Sequence, residues 1–162
     1  LRFPHHDNEI AQSEAYYNCD NWINNFWHTG HLHINGLKMS KSLKNFISIK
    51  NILTEYNQRQ VRFVFLLHTW SSLMHYSTEN TFPEAVVKEA QFTNFFRNVK
   101  ALSRNINIKE TNQAWNEKDF ELRETLQKKK EAVREALCDS FDTPRAVNEL
   151  SYLVVATNSY LA

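Results

Sequence analysis

Two glycines in 162 residues, Gly30 and Gly36, leave few places where this backbone can turn left-handed at no cost. A turn-rich β protein and a glycine loop wrapped around a phosphate are both hard to build from such a chain. Helices are the architecture it favours. Hydrophobic residues make up 42% and charged residues 23%, so a packed core is expected rather than disorder. The length suits one ordinary domain or two small ones. The net charge of +1 predicts no whole-molecule attraction to nucleic acid. Binding of that kind would need a local basic face.

Cys19 and Cys138 lie far apart and share no metal-ligand spacing. A disulfide framework is therefore not expected, and a reducing compartment is the default. No apolar run approaches the roughly 18 residues of a membrane span, and no signal-peptide pattern opens the chain. The chain starts at Leu1 inside a motif and stops at Ala162 within an apolar helical pattern, as expected of a piece of a longer protein.

The fold class expected is mainly α, with a small α/β segment over residues 1–57 and an antiparallel helical bundle over 58–162. Pro4 and the polar residues His5 to Glu9 lead into a short helix ending near Tyr17. Asn18 to Asn21 is a polar break. The aromatic stretch Trp22 to Leu32 and the alternating His31-Leu32-His33-Ile34 predict one or two short strands, ended by Gly36. Phe46 to Ile49 alternates like a further strand. Asn51 to Tyr56 is a short helix. Arg59 to Trp70 is apolar on nearly all sides and reads as a buried helix, with strand as the alternative. Ser71 to Phe82 is a connector with a turn at Ser77 to Asn80. Pro83 opens a helix to about Arg104, with Glu84 and Lys88 as an i,i+4 pair. Asn105 to Asn116 is a polar linker. A helix over Lys118 to Cys138 carries the stripe Leu122, Leu126, Val133 and Leu137. Pro144 opens the last helix, capped by Thr143 or Asp142. Lys128-Lys129-Lys130 reads as one solvated helix face.

Two features carry chemistry. Lys38-Met39-Ser40-Lys41-Ser42 sets two lysines three apart among small hydroxyl residues, which suits a polyphosphate or, more plainly, a solvated basic turn. His5 and Glu9, four apart, would point from one helix face. They make half of a zinc site, or an ordinary hydrogen-bonded helix start. No nucleophile elbow and no Cys–His pairing accompanies them. By itself that is too little for a complete enzyme.

The lysine segment matches the signature loop of class I aminoacyl-tRNA synthetases. Phe3 to Ser13, with the run Pro4-His5-His6-Asp7-Asn8-Glu9, resembles a motif upstream of that loop in the cysteinyl-tRNA synthetases. Trp27-His28-Thr29-Gly30-His31-Leu32 and Ser42-Leu43-Lys44-Asn45-Phe46 resemble the same family at the same spacing. The wording is similar to its eukaryotic cytosolic branch, which implies a cytoplasmic location. Phe141-Asp142-Thr143-Pro144 resembles the family's bundle. The resemblance implies a parent enzyme that activates cysteine with ATP and transfers it to tRNA(Cys). It implies that Lys41 contacts ATP, that Lys38 holds the leaving pyrophosphate, and that Met39, Ser40 and Ser42 complete the nucleotide-binding loop. It places His28 and Gly30 near the adenosine. It also implies a Zn2+ held by two cysteines, a histidine and a glutamate, with His5 and Glu9 on the last two positions and both cysteines upstream. The family's nucleotide motif is absent, so the fragment alone is expected to be inactive. A non-catalytic tRNA-binding or structural module is the alternative. Without ATP, Lys38 to Ser42 should be exposed and poorly ordered.

Overall fold

The computed structural model describes residues 2–34, 36–76, 81–104 and 114–162. An irregular turn, Arg2–His6, leads into α1 (Asp7–Tyr17). Asp7 and Glu9 lie in its first turn, where carboxylates complement the helix dipole. Asn18, in the left-handed region at φ 49°, closes it. Tyr17 stacks on Trp22 with ring centroids 5.1 Å apart, folding the following loop back along the helix.

Among the described residues the sheet has three short strands in the order β2-β1-β3. Strands β1 (Leu32–Ile34) and β2 (Leu37–Lys38) form an antiparallel hairpin. Gly36 sits beside β2 at φ +77°, where a side chain would be strained. Strand β3 (Met74–Tyr76) runs parallel to β1, with Leu32 opposite Met74 and Ile34 opposite Tyr76. The crossover between them contains α2 (Ile49–Glu55) and α3 (Gln58–Leu66). The sheet therefore takes strands from both sides of residue 57.

Three expectations change here. Phe46 to Ser48 forms no strand, because Ser48 Oγ accepts from Asn51 N at 3.2 Å and caps α2, which takes in Ile49. The connector after Ser71 holds a strand, because β1 offers it a partner. The helix expected over 59–70 ends at Leu66 and is only partly enclosed. Val64 is buried, but Phe65 is 57% exposed. Asn57 starts this helix with a capping box. Its Oδ1 accepts from Gln60 N at 3.0 Å, and Gln60 Oε1 accepts from Asn57 N at 3.0 Å. The turn expected at 77–80 lies outside the described residues.

Helix α4 (Thr81–Ser103) begins two residues before Pro83. Its first turns supply Phe82 and Ala85 to the core, with Val64 and Met74, and Leu32, Ile52, Tyr56 and Tyr76 pack around them. Helices α5 (Glu117–Cys138) and α6 (Thr143–Leu161) follow. Asn116 and Asp119 form the capping box of α5, and Asp142 Oδ1 caps α6 by accepting from Arg145 N at 3.0 Å. Residues 105–113 of the expected linker lie outside the described residues.

The pairing of α5 and α6 is antiparallel. Glu135 meets Arg145 at 3.4 Å, Lys129 meets Glu149 at 2.6 Å, and Tyr160 donates to Asp119. That last bond holds the Asp119 carboxyl below its ordinary range and the Tyr160 hydroxyl above its own. Lys129 thus leaves the solvated face expected for all three lysines. It bridges to α6 and lies 4.9 Å from the Tyr152 ring centre. Lys128 stays exposed on Glu124 at 2.7 Å. Lys88 bonds Asn148 Oδ1 and Ser151 Oγ on α6, at 3.3 and 3.2 Å, rather than Glu84. At the α5–α6 corner, Ser140 and Phe141 both have positive φ. Trp70 Nε1 donates to Ser140 O, and Phe141 packs edge-on to Trp27 at 5.0 Å.

Candidate functional site

The lysine segment sits at the end of the hairpin. Lys38 closes β2 opposite His33, and Met39 N donates to Leu32 O at 2.8 Å. The Lys38 ammonium donates to His31 Nε2 at 3.4 Å. Beyond Ser40 the chain turns tightly. Lys44 N donates to Lys41 O at 3.2 Å, and Lys44 takes φ 51°. Leu43 N donates to Ser40 Oγ at 3.2 Å, and Ser40 and Ser42 share a hydroxyl hydrogen bond of 3.1 Å. Lys38, Lys41 and Ser42 are exposed, whereas Met39 and Ser40 are half-buried. The expected exposure is there at the lysines, but the segment is a hydrogen-bonded turn rather than a loose one. Two ammonium groups are thereby presented from one end of a hairpin, an arrangement that can clamp a chain of phosphates.

His5 and Glu9 are both exposed at the start of α1. The Glu9 carboxylate engages His6 rather than His5, with His6 Nδ1 at 3.3 Å. The other nitrogen of His6 shares a hydrogen bond with His28 Nε2 at 3.2 Å, so one ring donates and the other accepts. Phe26 lies against the His6 ring with centroids 4.0 Å apart. His28 is therefore brought to the start of α1. His6 was not singled out by the sequence reading, although its i,i+3 spacing to Glu9 was visible.

Imidazole and carboxylate are the right donors for zinc, but two donors are half of a tetrahedral set. Among the described residues no three His, Cys, Asp or Glu side chains gather to hold a metal. The described residues alone do not fit a complete zinc centre.

Gly30 has a steric role. Its N–H donates to Trp70 O at 2.7 Å, and a Cβ added there would fall 1.9 Å from Ser72 O. Gly30→Ala should push residues 70–72 away from the strand start and cost about 1–3 kcal/mol. Denaturant unfolding would show this as a lower midpoint, and an unmoved midpoint would refute the close approach.

Two cavities lie away from the lysine turn. One, of about 790 Å3, is walled by α3, α4, α5 and α6, with Phe63, Phe92, Leu122 and Leu150 in its lining. The other, of about 570 Å3, lies among Trp27, Arg62, Phe65, Trp70 and Phe141. No described helix is long and apolar enough to cross a membrane.

The model of the class I (C) tRNA synthetase catalytic domain matches residues 1–87, just over half of the chain. The chain belongs to this family of class I tRNA synthetase catalytic domains. Over its full length it is 48% identical to the cytoplasmic cysteine–tRNA ligase of Gallus gallus and covers 22% of that protein. It is 47% identical to the human cytoplasmic cysteine–tRNA ligase, again covering 22%. Over 99% of its length it is 45% identical to the cytoplasmic enzyme of Dictyostelium discoideum and covers 24% of it. The chain thus spans less than a quarter of the length of these curated relatives.

Proposed function

We propose that the protein carrying this chain is a cytoplasmic cysteine–tRNA ligase, which activates cysteine with ATP and transfers it to tRNA(Cys). The observation that carries this reading is the exposed pair Lys38, at the end of β2, and Lys41, at the start of the turn, in a chain 48% identical throughout to a ligase of that name. In the reaction a cysteine carboxylate oxygen forms a bond to the α-phosphorus of ATP. The bond to the bridging oxygen of pyrophosphate breaks, and pyrophosphate leaves. Catalysis of this kind is positioning and charge stabilisation. Lys41 neutralises charge developing on the phosphates, and Lys38 steadies the leaving pyrophosphate. Met39, Ser40 and Ser42 shape the turn around the phosphate chain. His28 and Gly30 lie on the adenosine side. His5 and Glu9 would supply two of the donors to a zinc ion, the others coming from outside the described residues. Residues 1–87, which the catalytic-domain model matches, close the catalytic domain, and the helices beyond them face the tRNA. The isolated chain, with part of the site only, is inactive.

The test is ATP–pyrophosphate exchange by the whole protein with each amino acid in turn. Exchange with cysteine and not with serine supports the reading. Exchange driven by another amino acid, or none at all, would sink it.

A further inference from the structure

We propose that Asn45 is a positioning residue of the lysine turn. Its side-chain amide fixes the backbone on both sides of Met39 and so sets where Lys38 and Lys41 present their ammonium groups. The proposal rests on the synthetase reading for its effect on catalysis, but the brace itself stands on geometry. Asn45 Nδ2 donates to Lys38 O at 3.3 Å, and Asn45 Oδ1 accepts from Ser40 N at 2.9 Å. One amide thus offers the donor and the acceptor that a peptide of an adjacent strand would offer. It carries strand-like order past the end of β2 by two residues.

The rest of the turn brings Asn45 to that place. The bond from Lys44 N to Lys41 O reverses the chain, and the left-handed backbone of Lys44 returns Asn45 towards Lys38. The Ser40 hydroxyl holds Leu43 N from inside the same ring. Lys41 is the first residue of the reversal and is exposed. Its direction is therefore inherited from Ser40, whose N–H is held by Asn45. Asn45 is uncharged and half-buried, and both polar atoms of its side chain are spent on the backbone. It acts on phosphate only through the lysines. A misplaced catalytic group costs rate even when every reacting group remains present.

Two readouts test this in the whole protein. Amide hydrogen exchange at Ser40 should accelerate in Asn45→Ala. It should stay slow in Asn45→Asp, whose carboxylate keeps the acceptor for Ser40 N while it loses the donor to Lys38 O and adds a negative charge beside it. In cysteine-dependent ATP–pyrophosphate exchange, Asn45→Ala should lower kcat about 10-fold while leaving KM for cysteine unchanged. Introduced into Lys41→Ala, the same change should cost less than in the unaltered protein, because only Lys38 is then left for it to position. Unchanged Ser40 exchange in Asn45→Ala overturns the brace. Faster Ser40 exchange with unchanged kcat overturns the positioning role, as does an equal kcat loss in both backgrounds. If Asn45→Ala does not fold, slow Ser40 exchange in Asn45→Asp supports the brace and fast exchange overturns it. Absence of any exchange activity in the unaltered protein is instead a failure of the synthetase reading, and the Ser40 amide then decides the brace alone.

Discussion

Replacing Lys41 by alanine lowers cysteine-dependent ATP–pyrophosphate exchange by the whole protein about 10²-fold or more. The estimate follows from removing one preorganised donor at the point where charge develops, which costs about 2.7–4 kcal/mol of transition-state stabilisation. The side chain is exposed on a turn whose described hydrogen bonds are made by backbone and by Ser40, Ser42 and Asn45. Stability should accordingly be unmoved, so lost activity cannot be ascribed to lost fold. Lys41→Arg should rescue only partly. A planar, forked cation replaces a compact point charge and meets the phosphate oxygens from a different distance and angle. Exchange within twofold of the unaltered protein in Lys41→Ala would remove the lysine from the reaction.

Phe82→Ala should cost about 3–5 kcal/mol of stability, against the 5–15 kcal/mol that typically separates folded from unfolded domains. Phe82 is 2% exposed and sits where three parts of the chain meet. Its ring lies 4.1 Å from that of Tyr56, which follows α2, and 5.5 Å from that of Tyr76 on β3. Removing it empties the space between the sheet and the helices that position the lysine hairpin. Phe82→Leu, which keeps most of the volume, should lose much less. Chemical denaturation of the two variants checks the ordering, and equal midpoints would show that the ring is not the keystone of this core.

The helices of the second half were legible because their signals are local. Asp142, Pro144 and the apolar spacing that follows mark α6 from its own residues, and the stripe Leu122, Leu126, Val133 and Leu137 does the same for α5. Strand β3 has only three residues, and what makes it a strand is β1, forty residues earlier. No local pattern contains that partner. Ser48 fell the other way. Its neighbours alternate like a strand, but its hydroxyl caps a helix, and the stronger local bond prevails. Lys129 looked solvated beside Lys128 and Lys130 until α6 placed Glu149 against it.

The candidate site shows the same division. The exposure of Lys38 and Lys41 could be read from composition and context. The partner of Glu9 could not, since both i,i+3 and i,i+4 neighbours are sterically open, and it is His6 that turns to it, already held by Phe26 and His28. Asn45 was legible only as one residue of the family-like run Ser42 to Phe46, and not as a brace, because its two bonds exist only once the turn has closed.

The central claim is that Lys38 and Lys41 grip the phosphates of ATP. Amine-selective labelling of the whole protein, read residue by residue with mass spectrometry, tests it without relying on turnover. Saturating ATP should protect Lys41 most and Lys38 next, while the exposed Lys128 and Lys130 label at the same rate with and without nucleotide. Equal labelling of Lys41 in the presence and absence of ATP would contradict the account.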